Sequence, residues 1–392
     1  MNKKLNVLVV GGGMYVVGYG SNNYGTIIPA LLEARRSDLV DRIGIVTTNS
    51  LSAVKAKKRT TKLAKKMGVS SKCDNYPKDK SSDKAFLVAA EIFKPDIVII
   101  AVPDHLHSSI SIKLINNGYH CLVVKPMAPT LNEAKLMTLA AKKAKVVAQV
   151  EFHKRLDESN LLLREAIQAK KLGDLLYAVI EYSQKKKIPR DFFSTWSAKS
   201  NIFQYLGVHY VDLLQYVTLF KPIRVSAWGQ KGYLENLGID TWDSMQVIIE
   251  WERKDGRRFV STHITNWIDP DKTTAMSDQK INIVGTKGRF QADQKNRGVQ
   301  IVEDNLGVNE INPYFSKSWH DPSLTNLYYN GYGIKSIIQF IVDVKKFKTN
   351  QVSLSFLNKN RPSFEICQVS TAVIEAVNKS IISNNKKIEV KT

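Results

Sequence analysis

Residues 5–10 form a short apolar run, Leu-Asn-Val-Leu-Val-Val, that stops abruptly on Gly11-Gly12-Gly13. An apolar run of this length ending in glycine suits a strand buried on both faces of a parallel sheet. The pattern then repeats. Residues 42–47, 94–103, 121–124 and 146–150 read as further strands, the third after a Lys-Pro-Asp turn. Residues 27–34, 51–67, 83–93, 108–117 and 131–143 carry helical periodicity between them. Strands that alternate with helices predict α/β architecture: a doubly wound parallel sheet over residues 1–150.

In such a sheet the first strand-to-helix turn is where a nucleotide pyrophosphate would lie. Glycine permits close backbone approach, and a helix start supplies N–H groups. Gly11-x-Gly13 is present, but Val16 stands where a third glycine would be, and the loop runs on through Gly18, Gly20 and Gly25. Gly11, Gly13, Met14 and Tyr15 are the candidate contacts in this extended glycine-rich loop. The second strand ends Thr47-Thr48-Asn49, with no acid to bind a ribose 2′-hydroxyl. Small polar groups there, followed by Lys55, Lys57, Lys58 and Arg59, would tolerate a 2′-phosphate, which tilts the expectation from NAD towards NADP. After the next strand come Val102, Pro103, Asp104, His105 and His107. A histidine here would bond the loop or the cofactor. No fuller ligand set accompanies the pair, so no metal is expected.

The run 121–130, Cys-Leu-Val-Val-Lys-Pro-Met-Ala-Pro-Thr, places Lys125 where a strand gives way to a proline-punctuated turn. That edge of an open parallel sheet is where ligands bind. A lysine there can bond a substrate hydroxyl and help move its proton.

Beyond residue 150 the texture changes. A helix pattern at 157–171 precedes strand patterns at 175–183, 225–231, 244–251, 259–267, 280–284 and 288–293. These are mostly antiparallel candidates joined by turns such as Lys254-Asp-Gly-Arg257. Helix patterns occupy 208–217, 333–344 and 362–382. The expected second domain, residues 151–392, is therefore α+β with a large, open, mostly antiparallel sheet.

Composition narrows the function. The formal charge is +21, from 57 basic and 36 acidic residues, but the lysines are scattered and no nucleic-acid-binding motif accompanies them. Specific nucleic-acid binding is not expected; phosphorylated cofactors or acidic substrates would suit a basic surface. The three cysteines, Cys73, Cys121 and Cys367, form no Cys-x-x-Cys pair, which fits a reducing compartment. No apolar stretch approaches the ~18 residues of a membrane span, so the expected location is the cytoplasm.

Taken in order, these pieces resemble the Gfo/Idh/MocA oxidoreductase family over nearly the whole length. The resemblance rests on the glycine turn, Ala101-Val-Pro-Asp-His-Leu-His107, Val124-Lys-Pro126 with Thr130 and Glu133, and Gly207-Val-His-Tyr-Val-Asp212. Ile283-Val-Gly-Thr-Lys-Gly288 and Glu375-Ala-Val-Asn-Lys-Ser380 complete it. It implies a Rossmann domain carrying NAD or NADP, and a sheet domain whose open face binds substrate and another subunit. The family's catalytic lysine falls on Lys125, before a peptide to Pro126 that is often cis, and its histidine falls on His209. Three departures stand out: Tyr205 replaces the usual aspartate, Val124 replaces a glutamate, and Lys199-Ser-Asn201 replaces glycines.

The resemblance implies hydride transfer between nicotinamide and a sugar, polyol or sugar derivative. His209 would take the hydroxyl proton and Lys125 would stabilise the oxygen, with Tyr205 as a substrate-binding or proton-relay group. Arg155, Asp212 and Trp242 are further substrate candidates, and Lys185, Asp240, Asp243 and His263 lie on the same domain. Two rival readings use the same fold: a non-catalytic NAD(P)-binding sensor, and a glycosidase in which the nicotinamide is oxidised and reduced within one cycle.

Overall fold

The computed structural model describes residues 4–391 apart from 21, 22, 80, 195 and 306. The chain divides into two compact units. The first comprises the residues up to Ala128, Asn132–Leu156 and Tyr314–Cys367; the second comprises Pro129–Leu131, Asp157–Pro313 and the chain from Gln368 onward.

The first unit is built on six parallel strands: β1 (Leu5–Val10), β2 (Val40–Val46), β3 (Cys73–Tyr76), β4 (Ile97–Ile100), β5 (His120–Val124) and β6 (Ala148–Glu151). Their order is β3-β2-β1-β4-β5-β6. This is the doubly wound arrangement, with its switch point between β1 and β4. Val7, Val9, Ile43, Ile45, Ile97 and Ile99 are fully buried, as strands covered by helices on both faces must be. Helices Ile27–Arg36, Ser50–Lys66, Ala85–Phe93 and His107–Asn116 connect them. The short polar strand β3, Cys-Asp-Asn-Tyr, has no apolar run to announce it; pairing with β2 makes it a strand.

A division at residue 150 does not follow the packing, because the segment Tyr314–Cys367 returns to the first unit. Its helix Tyr332–Lys348 sends Ile334, Ile337, Phe340, Ile341 and Val344 into the same core as Val7 and Val9 of β1. At the sheet edge the Val150 N–H donates to the Pro362 carbonyl at 2.8 Å. Buried Asp343 accepts from Arg361 Nε at 2.7 Å and Gln149 Nε2 at 3.3 Å, tying helix, segment and strand together.

The second unit contains a seven-stranded sheet. Its strands are β7 (Leu175–Lys185), β8 (Lys221–Gln230), β9 (Ser244–Glu252), β10 (Arg258–Asp269), β11 (Ser277–Gly285) and β12 (Arg289–Asp293), closed at one edge by a late strand, Ile388–Glu389. All neighbours are antiparallel except β7 and β10. Register sorts the faces. Ala178, Ile180, His263, Trp267, Val247 and Trp251 point to the buried side, while Tyr177, Trp228, Val260, Ile264 and Ile268 are exposed on the other. Two hairpins, β13 (Gln300–Glu303) with β14 (Gly307–Glu310) and β15 (Lys317–His320) with β16 (Leu327–Asn330), complete the strands. Among the described residues, no helix is long and apolar enough to cross a membrane.

Candidate functional site

In the first unit the candidate residues gather at the carboxyl ends of the parallel strands. Gly11 follows β1 with φ +121°, and its N–H donates to the Val46 carbonyl at 2.8 Å. A Cβ on Gly11 would stand 2.1 Å from the Ala101 carbonyl oxygen, so the strand ends can only close around glycine. Gly13 differs: its φ is −78°, and an added Cβ would meet nothing within 4 Å. Gly11 shapes the turn, and Gly13 leaves open space at its mouth, which is the fit a pyrophosphate requires. The helix that follows is a single turn, Met14–Val17, and the chain then loops through Gly18 to Gly25 before the long helix begins.

Arg59 is the clasp of that loop. Its guanidinium donates to the carbonyls of Val17 at 2.8 Å, Gly20 at 2.7 Å and Asn23. It is therefore committed to backbone, unlike exposed Lys55 and Lys58 on the same helix. At the end of β2, Asn49 caps the helix Ser50–Lys66 by accepting from the Ser52 N–H at 2.8 Å, and Thr47 donates to the Asn49 carbonyl at 2.7 Å. Thr48 is exposed.

His107 joins two of the loops. Nδ1 lies 2.7 Å from the Pro126 carbonyl and Nε2 lies 2.9 Å from the Val102 carbonyl. Burial lowers its pKa, against the pull of Asp104 and these carbonyls. The ring thus pins the loop after β4, with Val102 and Pro103, to the turn after β5, with Lys125 and Pro126. The Lys125–Pro126 peptide is cis, as the resemblance implied. Burial pushes the Lys125 amine down to about 7, with Glu151 and Asp104 opposing the shift. An amine balanced near neutrality can both donate and accept a proton at working pH.

Glu151 went unmarked in the sequence. It is buried at the end of β6, paired in register with Val124. Its carboxylate accepts from Tyr15 Oη at 3.0 Å, from His153 Nδ1 at 3.0 Å and from Ser336 Oγ. Tyr15 thus reaches from the glycine loop to the far strand of the sheet. Arg155 is buried on the short turn His153–Leu156 that follows β6.

The second unit holds the other candidates. Helix Val208–Thr218 is preceded by a π-helical turn, Phe203–Gly207. Such turns recur at functional sites because they re-aim side chains. Asn201 starts this turn by accepting from the Gln204 N–H at 2.8 Å and donating to Asn378 Oδ1 at 2.9 Å. Tyr205 projects into an aromatic cluster, its ring 5.1 Å from Phe193, 5.9 Å from Trp196 and 5.7 Å from Trp267. His209 is buried, with its ring 6.3 Å from Tyr182, and Asp212 is buried one turn further on. Trp242 covers Gly229, where an added Cβ would stand 2.6 Å from its ring, and Lys231 lies 5.0 Å above that ring.

The remaining sheet-domain candidates have local work. Asp243 accepts from the Tyr233 and Leu234 N–H groups at 2.6 and 2.8 Å, Asp240 pairs with Lys231, and Lys185 donates to the Thr273 carbonyl at 2.6 Å. His263 is buried 2.9 Å from Ser261 Oγ, and burial pushes it down to about 3. Among the described residues no cluster of histidine, cysteine and carboxylate side chains is arranged to hold a metal ion.

Comparison with known proteins places this geometry. A family model described as "Oxidoreductase family, NAD-binding Rossmann fold" matches residues 5–152, and a "GFO/IDH/MocA C-terminal domain" model matches 161–291. Glucose-6-phosphate 3-dehydrogenase of Bacillus subtilis is 25% identical over 222 residues, covering 54% of this chain and 61% of that protein. The scyllo-inositol 2-dehydrogenase (NAD(+)) of the same organism is 23% identical over 228 residues, covering 58% of this chain and 64% of that protein. The chain thus spans less than two thirds of the length of these curated relatives. The crystal structure of scyllo-inositol dehydrogenase from Lactobacillus casei, with bound NAD(H) and scyllo-inositol, superposes with a TM-score of 0.67 at 15% identity and covers 100% of both chains, which shows a shared fold. With both domain models matched in order over most of its length, this chain belongs to the Gfo/Idh/MocA oxidoreductase family.

Proposed function

We propose that the protein is a nicotinamide-dependent oxidoreductase that moves hydride to or from a carbinol or carbonyl carbon of a sugar, polyol or sugar derivative. The observation that carries this reading is Lys125: a half-buried lysine at the carboxyl end of β5, beside Glu151 and Asp104, with its amine balanced at about 7. Family membership supplies the context.

Gly11, Gly13, Met14 and Tyr15 would hold the pyrophosphate of a nicotinamide dinucleotide, with Thr47, Thr48 and Asn49 at its ribose and Val102, Pro103 and Pro126 along its length. His107 would act through the two loops it joins. When bound, the dinucleotide supplies the hydride acceptor or donor. The protein's own task is the proton. In the oxidation direction His209 takes it from the substrate hydroxyl, and Lys125 donates a hydrogen bond that stabilises the charge left on oxygen. Tyr205 binds substrate or relays the proton at the position for which the family resemblance implies an aspartate, and Arg155, Asp212 and Trp242 are the further substrate contacts. The absence of an acid after β2, with Thr48, Lys55 and Lys58 exposed nearby, supports tolerance of a 2′-phosphate and so NADP.

Fluorescence titration with NADH and NADPH tests the first step: both nucleotides should bind, NADPH at least as tightly. Lys125→Ala and His209→Ala should each lower kcat/KM by about 10²–10⁴-fold, the range for loss of a general acid/base group. A protein that binds neither nucleotide would overturn the reading, and undiminished rates in both variants would overturn the residue roles.

A further inference from the structure

Glu151 is a buried carboxylate at the open end of a parallel sheet, and three side chains, two of them from distant parts of the chain, converge on it. Tyr15 comes from the glycine loop, His153 from the turn after β6 and Ser336 from the helix Tyr332–Lys348. The His153 ring is itself held in place, 5.0 Å from Phe315 and stacked 5.7 Å from Tyr332. A carboxylate with this many donors is set in one orientation. Register fixes where it sits. Glu151 is the cross-strand partner of Val124, so it sits at the adjacent strand end next to the turn that carries Lys125.

We propose that Glu151 is the positioning residue of the candidate site, with Tyr15, His153 and Ser336 orienting its carboxylate so that it holds the Lys125 amine and sets its charge. The proposal rests on the functional reading given for Lys125 above, and it assigns a residue outside the lysine, histidine and aspartate positions that the family resemblance marks.

The groups acting on Lys125 within its unit divide cleanly. Burial disfavours the ammonium; Glu151 and, more weakly, Asp104 favour it. His107 is committed to backbone carbonyls. Lys154 and Arg155 are buried on the turn that bears His153. Removing the Glu151 charge takes away the stronger of these two supports for the ammonium, so the amine should surrender its proton at lower pH. An opposite charge at close range is worth about one pKa unit or more.

The test is a pH titration of the protein labelled with ¹³Cε-lysine, free of cofactor and substrate, with Lys125→Met identifying the resonance. The wild-type midpoint should lie near neutrality. In Glu151→Gln it should fall by about one unit or more, and Glu151→Asp, which restores the charge on a shorter arm, should recover most of that shift. An unmoved midpoint in Glu151→Gln, an equal fall in Glu151→Asp, or a wild-type midpoint at an ordinary lysine value would overturn the proposal. If Glu151→Gln does not fold by circular dichroism, Tyr15→Phe replaces it. Loss of one donor leaves the carboxylate more dependent on the ammonium, so the midpoint should rise, and an unchanged midpoint would overturn the proposal. The titration needs no turnover, so a failure to bind nicotinamide would remove the functional reading while leaving this electrostatic result to stand or fall by itself.

Discussion

Gly11 and Gly13 are two residues apart and do different things. Gly11 adopts a backbone conformation reserved for glycine and lies against the Ala101 carbonyl, whereas Gly13 has ordinary φ and empty space beside it. Gly11→Ala should therefore destabilise the first unit by roughly 3 kcal/mol, from backbone strain plus a clash that cannot relax without moving β4. Gly13→Ala should leave stability within about 0.5 kcal/mol, while weakening nicotinamide nucleotide binding. Thermal melts beside NADH titrations of both variants separate the cases; equal destabilisation by the two would contradict the assignment. The same contrast divides Arg59 from Lys55 and Lys58. All three are cations on one helix, but Arg59 spends its donors on the glycine loop.

Along each strand of the second sheet, period-two alternation sends one set of side chains inward and leaves Tyr177, Trp228, Val260, Ile264 and Ile268 outward. On β10 the outward Val260, Ile264 and Ile268 alternate with Thr262 and Asn266, and the family resemblance implies that this open face meets another subunit. Ile264→Asp should convert an oligomer to a smaller species in size-exclusion chromatography with light scattering, with the fold preserved because the residue is already 36% exposed. An unchanged mass would place any self-association elsewhere. The helix carrying His209 shows what periodicity conveys and what it omits. Its apolar spacing announces a helix from Val208, but the π-helical turn that aims Tyr205 into Phe193, Trp196 and Trp267 has no sequence period of its own.

At the scale of the molecule, the chain returns to its beginning. Helix Tyr332–Lys348 completes the core of the first unit, and Asp343 locks Arg361 and Gln149 together. A polypeptide of residues 1–156 alone should therefore lack a cooperative thermal transition, while the same residues joined to 314–367 should show one; a sharp melt for the shorter piece would contradict this. Much of the plan was legible without the structure. Strand and helix alternation, the glycine turn after the first strand, the place of Lys125 after β5 and the inward-outward rhythm of the second sheet all follow from residues within a few positions of each other, because backbone sterics and local periodicity act over that range. Glu151 was not legible, nor was the return of residues 314–367. The side chains that orient Glu151 are separated from it by as many as 185 positions, and no local pattern records which distant donors will meet a carboxylate once the sheet is wound. The sequence by itself determined most of the elements, though not β3 or the π-helical turn, and the lysine at their edge. Only the tertiary structure decided what surrounds that lysine, because burial and neighbouring charge exist only once the strands lie side by side.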